Sequence, residues 1–115
     1  MNNPKVRCSV LLSLLALERP IEDLGNELAT FAWDDAPDLV MLTRSHIRAI
    51  LQRFMAGNIS AETVEIWADT VECRDDIDFA KDEQVIDAIF ILANPVINGR
   101  LDNHLAEQIL SNISD

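Results

Sequence analysis

Ala61-Glu62-Thr63-Val64-Glu65-Ile66-Trp67-Ala68-Asp69-Thr70-Val71-Glu72-Cys73 is the stretch on which the fold reading turns. At 100° per residue, Val64, Trp67, Ala68 and Val71 gather on one side of a helix. Glu62, Glu65, Asp69 and Glu72 fall within about 80° of one another on the other side. Ser60 stands where an N-cap belongs. Residues 61–73 are therefore predicted to form an amphipathic helix whose apolar face needs neighbours to cover it. Like charges stacked along one helix face repel by about 0.2–0.5 kcal/mol per pair. Folding gains nothing from that repulsion, so the stripe reads as a surface kept for a cationic partner; the plainer reading is a solvated helix face. The acids continue into Asp75, Asp76 and Asp78, and Ile66, about 40° from Glu62 on the wheel, offers an apolar anchor. The candidate partner-binding residues are Glu62, Glu65, Ile66, Asp69, Glu72, Asp75, Asp76 and Asp78.

Outward from this helix, helical spacing recurs along nearly the whole chain. Residues 6–18 make a strongly apolar first helix, expected to be buried on most sides. Pro20 ends it and can open the next, in which Ile21, Leu24, Leu28 and Phe31 recur at helical spacing. Glu22 and Asp23 occupy the first turn, where the helix dipole favours acids. Asp34-Asp35-Ala36-Pro37-Asp38 breaks the pattern, and Leu39-Val40-Met41-Leu42 fits a short extended piece. Thr43 reads as the N-cap of a third helix with Ile47, Ile50, Leu51, Phe54 and Met55 on its buried face, and Gly57-Asn58 ends it. Asp82 starts a fifth helix that is apolar on almost every side over residues 85–93, as expected of the central helix of a small bundle. Asn94-Pro95 stops it, Val96-Ile97-Asn98-Gly99 turns the chain, and Asp102 caps a last helix packed through Leu105, Ala106, Ile109, Leu110 and Ile113. No internal repeat or linker interrupts the pattern. The expected fold is all-α: a compact antiparallel helical bundle of five to six helices, one domain over residues 1–115.

Composition narrows the function. Hydrophobic residues make up 49% and charged ones 25%, a globular balance, and with no Tyr the core must be mostly Leu, Ile, Val and Ala. Only three glycines argue against a many-turned β fold and against a Gly-rich phosphate cradle. The net charge of −11 opposes nucleic acid and an anionic membrane as direct partners, since both draw on clustered Lys and Arg. It suits a basic protein partner. Charge alternates in blocks: +2 over residues 1–19, −6 over 20–38, +3 over 39–58, −7 over 59–83 and −3 over 84–115. Arg44, Arg48 and Arg53 supply the middle basic block and are placed to neutralise part of an acidic neighbour.

Cys8 and Cys73, the only cysteines, follow no metal or redox spacing and read as free thiols in a reducing compartment. Lys5 and Arg7 before the apolar run over residues 8–17 mimic a signal peptide. However, Glu18-Arg19-Pro20 follows in place of an A-x-A site, and the run is too short to span a bilayer. A cytoplasmic protein without a membrane partner is expected.

Signatures of catalysis are sparse. His46 and His104 are the only histidines, and neither a Gly-x-Ser-x-Gly elbow nor a Cys-His arrangement accompanies them, so no enzyme is expected. Asp76-Ile77-Asp78 resembles the start of a calcium loop, but Lys81 stands where such a loop needs Gly and Asp87 where it needs Glu. No metal and no cofactor is expected. The segment Arg74-Asp75-Asp76-Ile77-Asp78 also has a structural reading: carboxylates bond turn amides, Arg74 pairs locally, and Ile77 or Phe79 pins the loop. Trp67 reads as core, whereas Trp33 reads equally as core or contact residue.

Ala56-Gly57-Asn58-Ile59-Ser60-Ala61-Glu62, Val64, Trp67-Ala68, Arg74-Asp75-Asp76-Ile77, Leu92-Ala93-Asn94-Pro95 and Ile97-Asn98-Gly99 together resemble the small bacterial immunity-type proteins related to the colicin D immunity protein. The likeness covers roughly residues 40–110, and Cys73 departs from it where a glycine would be natural. The resemblance implies a helical bundle that binds and blocks a ribonuclease-type toxin without being an enzyme, its carboxylates standing in for RNA phosphates. The alternative reading, from another class, is a small helical adaptor or assembly module in a larger complex, whose apolar first helix forms a dimer or docking surface.

Overall fold

Side-chain caps fix where most of the helices begin. The Ser60 hydroxyl accepts the Thr63 N–H at 3.1 Å, Asp82 accepts that of Gln84 at 3.1 Å, and Asp102 accepts that of Leu105 at 2.8 Å. Each such bond satisfies an amide that the helix itself leaves open and contributes about 1 kcal/mol. At Thr43 the reciprocal bond is present: the Thr43 N–H is donated to His46 Nδ1 at 3.0 Å, with histidine in the place usually held by Glu or Gln. Pro20 is the N-cap of its helix, one position earlier than expected, and has no side-chain bond to offer there.

The computed structural model of the chain describes residues 4–30, 40–74 and 76–114. These form α1 (Pro4–Ala16), α2 (Ile21–Ala29), β1 (Val40–Met41), α3 (Arg44–Met55), α4 (Ala61–Glu72), β2 (Ile77–Asp78), α5 (Glu83–Ala93), α6 (Pro95–Asn98) and α7 (Asn103–Ile113). Phe31, Trp33, the acidic break over residues 34–38, Leu39 and Asp75 lie outside the described residues. The chain is mostly helical, with seven helices among the described residues in place of five to six. The added one is α6: Pro95 fixes its first φ, and the segment closes a single helical turn where only a turn was expected. The radius of gyration, 13.9 Å, is near the ~13 Å of a compact chain of this length.

Trp67 is the largest side chain in the core. It is fully buried on α4, with its indole N–H donated to the Leu14 carbonyl of α1 at 2.8 Å. The same core cluster holds Leu11, Leu14 and Leu15 of α1, Leu24 of α2, Ile47, Ile50 and Leu51 of α3, Ile89 and Leu92 of α5, and Ile109 of α7. Two helices each pack against four others: α3 against α1, α4, α5 and α7, and α5 against α3, α4, α6 and α7. The expectation for α5 is still corrected in one respect, since it is not buried all round: Ile86 and Phe90 are exposed on it. The apolar run over residues 85–93 exceeds what one face can bury, and sequence cannot show that neighbours cover only one side. Similarly, α1 exposes Leu12, and Met55 at the end of α3 is exposed instead of buried.

The extended piece before α3 finds a partner that periodicity did not suggest. Val40 pairs with Ile77 and Met41 with Asp78 in a two-stranded parallel ladder. The Leu42 N–H completes it on the Asp78 carbonyl at 2.8 Å. Val40 and Ile77 are buried, so the pairing pins the loop before α5 to the core. Beyond the ladder, Ala80 (φ 58°) and Lys81 (φ 56°) both adopt the left-handed conformation, and Asp78 accepts the Ala80 N–H at 2.8 Å. Two consecutive non-glycine residues in that region are strained, and the Asp78 bond offsets part of the cost.

Candidate functional site

Helix α4 delivers its two faces as its sequence spacing requires. Val64, Trp67, Ala68 and Val71 are buried, while Glu62, Asp69 and Glu72 are exposed on the opposite side with Ile66, 41% exposed, among them. Among the described residues none of these three acids is in an ion pair, so their charge faces solvent. Glu65, at the edge of the stripe, differs. It is half-buried, and its carboxylate accepts the Leu101 N–H at 3.2 Å, tying the connection between α6 and α7 to the side of α4.

The acids after α4 do not extend the stripe. Asp76 is 2% exposed and held by a two-point pair with Arg74, Nε to Oδ1 and Nη2 to Oδ2, both at 2.8 Å. It is a structural anchor and not part of an accessible acidic surface, which corrects its place among the candidate contacts. A buried carboxylate needs such geometry because desolvation otherwise outweighs the attraction. Asp78 is half-buried and occupied by the turn to Ala80. Asp75 lies outside the described residues. Of the eight sequence-selected residues, the structure thus groups Glu62, Ile66, Asp69 and Glu72 on one open face, with Glu65 at its rim.

Electrostatics elsewhere is local and structural. Arg44 grips Asp82 through Nε at 2.7 Å and Nη2 at 3.1 Å, and reaches the Ile113 carbonyl at 3.3 Å. The hydrogen bond from Arg44 holds the Asp82 carboxyl below its ordinary range. Arg53 donates to the carbonyls of Ala16 and Leu17 at 3.1 and 3.0 Å, capping the end of α1. The basic helix α3 therefore bonds the Asp82 carboxylate and the carbonyl ends of two helices, α1 and α7. Burial lowers the pKa of His46, whose ring is engaged in the α3 cap, and His104 is exposed on α7.

Two features lay beyond the reading of the sequence. Val96 and Ile97 on α6 are 98% and 72% exposed. Asn94-Pro95 and Asn98-Gly99 mark the pair as part of a turn, but its exposure depends on where the rest of the fold leaves room. The second is a cleft of about 170 Å³ between α5 and α7, flanked by Asp87, Phe90, Ile91 and Ile109, below the ~300–1,000 Å³ usual for small-molecule sites. Among the described residues no group of three His, Cys, Asp or Glu side chains is arranged to hold a metal ion, and no helix is long and apolar enough to cross a membrane. No family model matches the chain, and no similar curated protein or solved structure is found.

Proposed function

We propose that the protein is a non-enzymatic, single-domain immunity-type inhibitor, acting in the cytoplasm, that binds and blocks a basic bacterial toxin of the ribonuclease type. The observation that carries this reading is the open face of α4, where Glu62, Asp69 and Glu72 surround a part-exposed Ile66 in a chain of net charge −11. An RNA-cleaving site is lined with cations that hold phosphates, and carboxylates at comparable spacing can occupy it while long-range attraction speeds the encounter. The resemblance of residues 40–110 to the colicin D immunity family and the mostly helical chain support the same reading, in which the helices pack as an antiparallel bundle. The test is to titrate the purified protein into a cationic ribonuclease toxin encoded beside its own gene. Stoichiometric loss of RNA cleavage is expected, with association slowed by added salt. Full nuclease activity in excess protein would sink the idea.

A second reading has its own support. The apolar side chains exposed on α5 and α6 suit a helical adaptor that docks within a larger assembly. In that case the charge of α4 serves solubility, and reversing it leaves assembly unchanged.

A further inference from the structure

The most exposed apolar side chains of the described residues are Val96 and Ile97, adjacent on the one-turn helix α6. Isolated apolar residues on a surface need no explanation, but two neighbours at 98% and 72% exposure on a rigid tip do. Rigidity comes from the backbone. The Ile97 and Asn98 N–H groups donate to the Asn94 carbonyl at 3.1 and 3.0 Å, and that of Gly99 to the Pro95 carbonyl at 2.8 Å. Asn98 Nδ2 adds a bond to the Asn94 carbonyl at 3.2 Å. Pro95 locks the first φ, and Gly99 takes φ 90°, which lets the chain leave sharply toward α7. A tip already held in one shape loses little entropy when a partner closes on it.

Its location supplies the second half. The Glu65 carboxylate accepts the Leu101 N–H at 3.2 Å, so the chain leaving the tip is fastened to the rim of the acidic face. Ile97 is four Cα steps from Leu101, and those steps plus one side chain bring its Cα within about 20 Å of Glu65. One partner's share of a standard interface, ~800 Å², is about 30 Å across, so tip and acidic face fit inside a single footprint. We propose that Val96 and Ile97 are the apolar anchor of that interface, and that its occupant is a cationic protein presenting an apolar cleft flanked by Lys or Arg.

Charge selects this occupant over a second copy of the chain. In a symmetric dimer formed through the tip, the acidic faces beside the two tips approach each other, on top of the repulsion between two chains of −11. A cationic partner turns the same acids into attraction. The division of labour follows general interface anatomy: a few desolvated apolar anchors hold the complex, and the surrounding charges steer it. The proposal rests on the acidic-face reading above and adds the residues that hold the complex once formed.

The experiment uses the whole protein and, as a stand-in for the partner, a fluorescent amphipathic helical peptide of leucine and lysine, with an all-lysine peptide of equal charge as control. Binding is followed by anisotropy and by amide chemical shifts. The expected result is a complex that perturbs residues 96–101 together with α4 and that binds the leucine–lysine peptide more tightly than the control. Val96→Ser with Ile97→Ser should weaken it at least about tenfold with an unchanged salt slope, and both sites are exposed enough to leave the melting temperature unmoved. Reversing Glu62, Asp69 and Glu72 to Lys should flatten the salt slope. If the double serine variant binds within about twofold of the wild type while charge reversal still weakens binding, the anchor is wrong and the acidic-face reading stands. If charge reversal has no effect while the serine variant abolishes binding, the acidic-face reading fails and the cationic occupant with it. A concentration-dependent dimer without peptide, removed by the two serines, would overturn the proposal in favour of a second copy.

Discussion

Helix α4 and the loop that follows it are equally acidic in sequence and opposite in structure. On α4, Glu62, Asp69 and Glu72 stand open on one face; a few residues later Asp76 is buried in the grip of Arg74, Asp78 closes a turn, and Asp82 caps a helix while pairing with Arg44. The difference lies in who satisfies the backbone. Inside a helix the amides bond to one another, so a carboxylate is free to point outward, and its position on the wheel decides its exposure. In a loop the amides have no such partners, and nearby carboxylates such as Asp78 and Asp82 are recruited to satisfy them, while Asp76 is drawn inward by Arg74. Runs of acids in sequence are therefore not equivalent: among the described residues of these two regions, the open carboxylates are Glu62, Asp69 and Glu72 on the helix.

The largest effect that can test this comparison lies on the buried side of α4. Trp67→Ala removes the largest core side chain and its bond to Leu14, and should cost about 3–5 kcal/mol, a large fraction of the stability of a small domain. Chemical denaturation measures it. A midpoint equal to that of the wild type would contradict the two-faced helix.

Next comes the loop. Asp76→Ala leaves the Arg74 guanidinium, itself mostly buried, without its two-point partner, and should cost about 3 kcal/mol, the low end for breaking a buried pair. The β1–β2 ladder lies immediately beyond, so the amides of Val40 and Leu42 should lose protection from hydrogen exchange before those of α4. Loss of protection in α4 first would mean that the loop is not an independent anchor.

How far the sequence carried follows the same division. Wherever apolar residues recur at helical spacing beside a capping side chain, as at Ser60, Asp82 and Asp102, the start of the helix was legible, and for the helices after Ser60 and Asp102 so was the buried face. The pairing of Val40 with Ile77 was not, because a two-residue parallel bridge across 37 positions leaves no periodic trace. The structural reading of residues 74–78 anticipated the local pairing of Arg74, but not that Asp76 is its partner, which depends on the turn between them. For the candidate site, the helical acids and Ile66 could be read from the wheel. The Val96–Ile97 tip could not, since its exposure depends on where the rest of the fold leaves room. Glu65 shows the limit within α4 itself: the wheel set its direction, but its bond to Leu101 comes from a chain segment 36 residues away.

Acid should separate the caps from the core without any mutation. His46 is neutral when its Nδ1 accepts the Thr43 N–H, and burial lowers its pKa below the ordinary ~6.5. A histidine with a lowered folded pKa binds more protons when unfolded, so its contribution is complete above about 6.5 and is lost as pH falls toward the folded value. Asp82 adds a second step of the same sign. Its folded pKa is lowered chiefly by the Arg44 hydrogen bond, so its contribution is present above the ordinary carboxylate value near 4 and is lost below it. Denaturation midpoints should fall first below pH 6.5 and again below 4, and His46→Gln, which keeps an acceptor for Thr43, should remove only the first step. A wild-type curve flat between pH 7 and 5 would show that the α3 cap does not depend on the neutral ring.

The smallest expected effect is the most telling for the comparison. Glu62→Lys, Asp69→Lys and Glu72→Lys together change the net charge by two units per site, from −11 to −5, on a face that makes no ion pair among the described residues. Each exposed substitution should move stability by less than about 0.5 kcal/mol, with a tendency to stabilise because stacked like charges repel within the helix. Glu65 is left in place because its bond to Leu101 would confuse loss of charge with loss of a tether. Circular dichroism and a denaturation midpoint at or above the wild-type value are expected, beside the fall of several kcal/mol caused by the single change at Asp76. If the triple variant falls as far as Asp76→Ala, the acids of α4 are held in contacts like those of the loop. The two regions then differ only in degree, and α4 loses its claim to be a surface kept open for a partner.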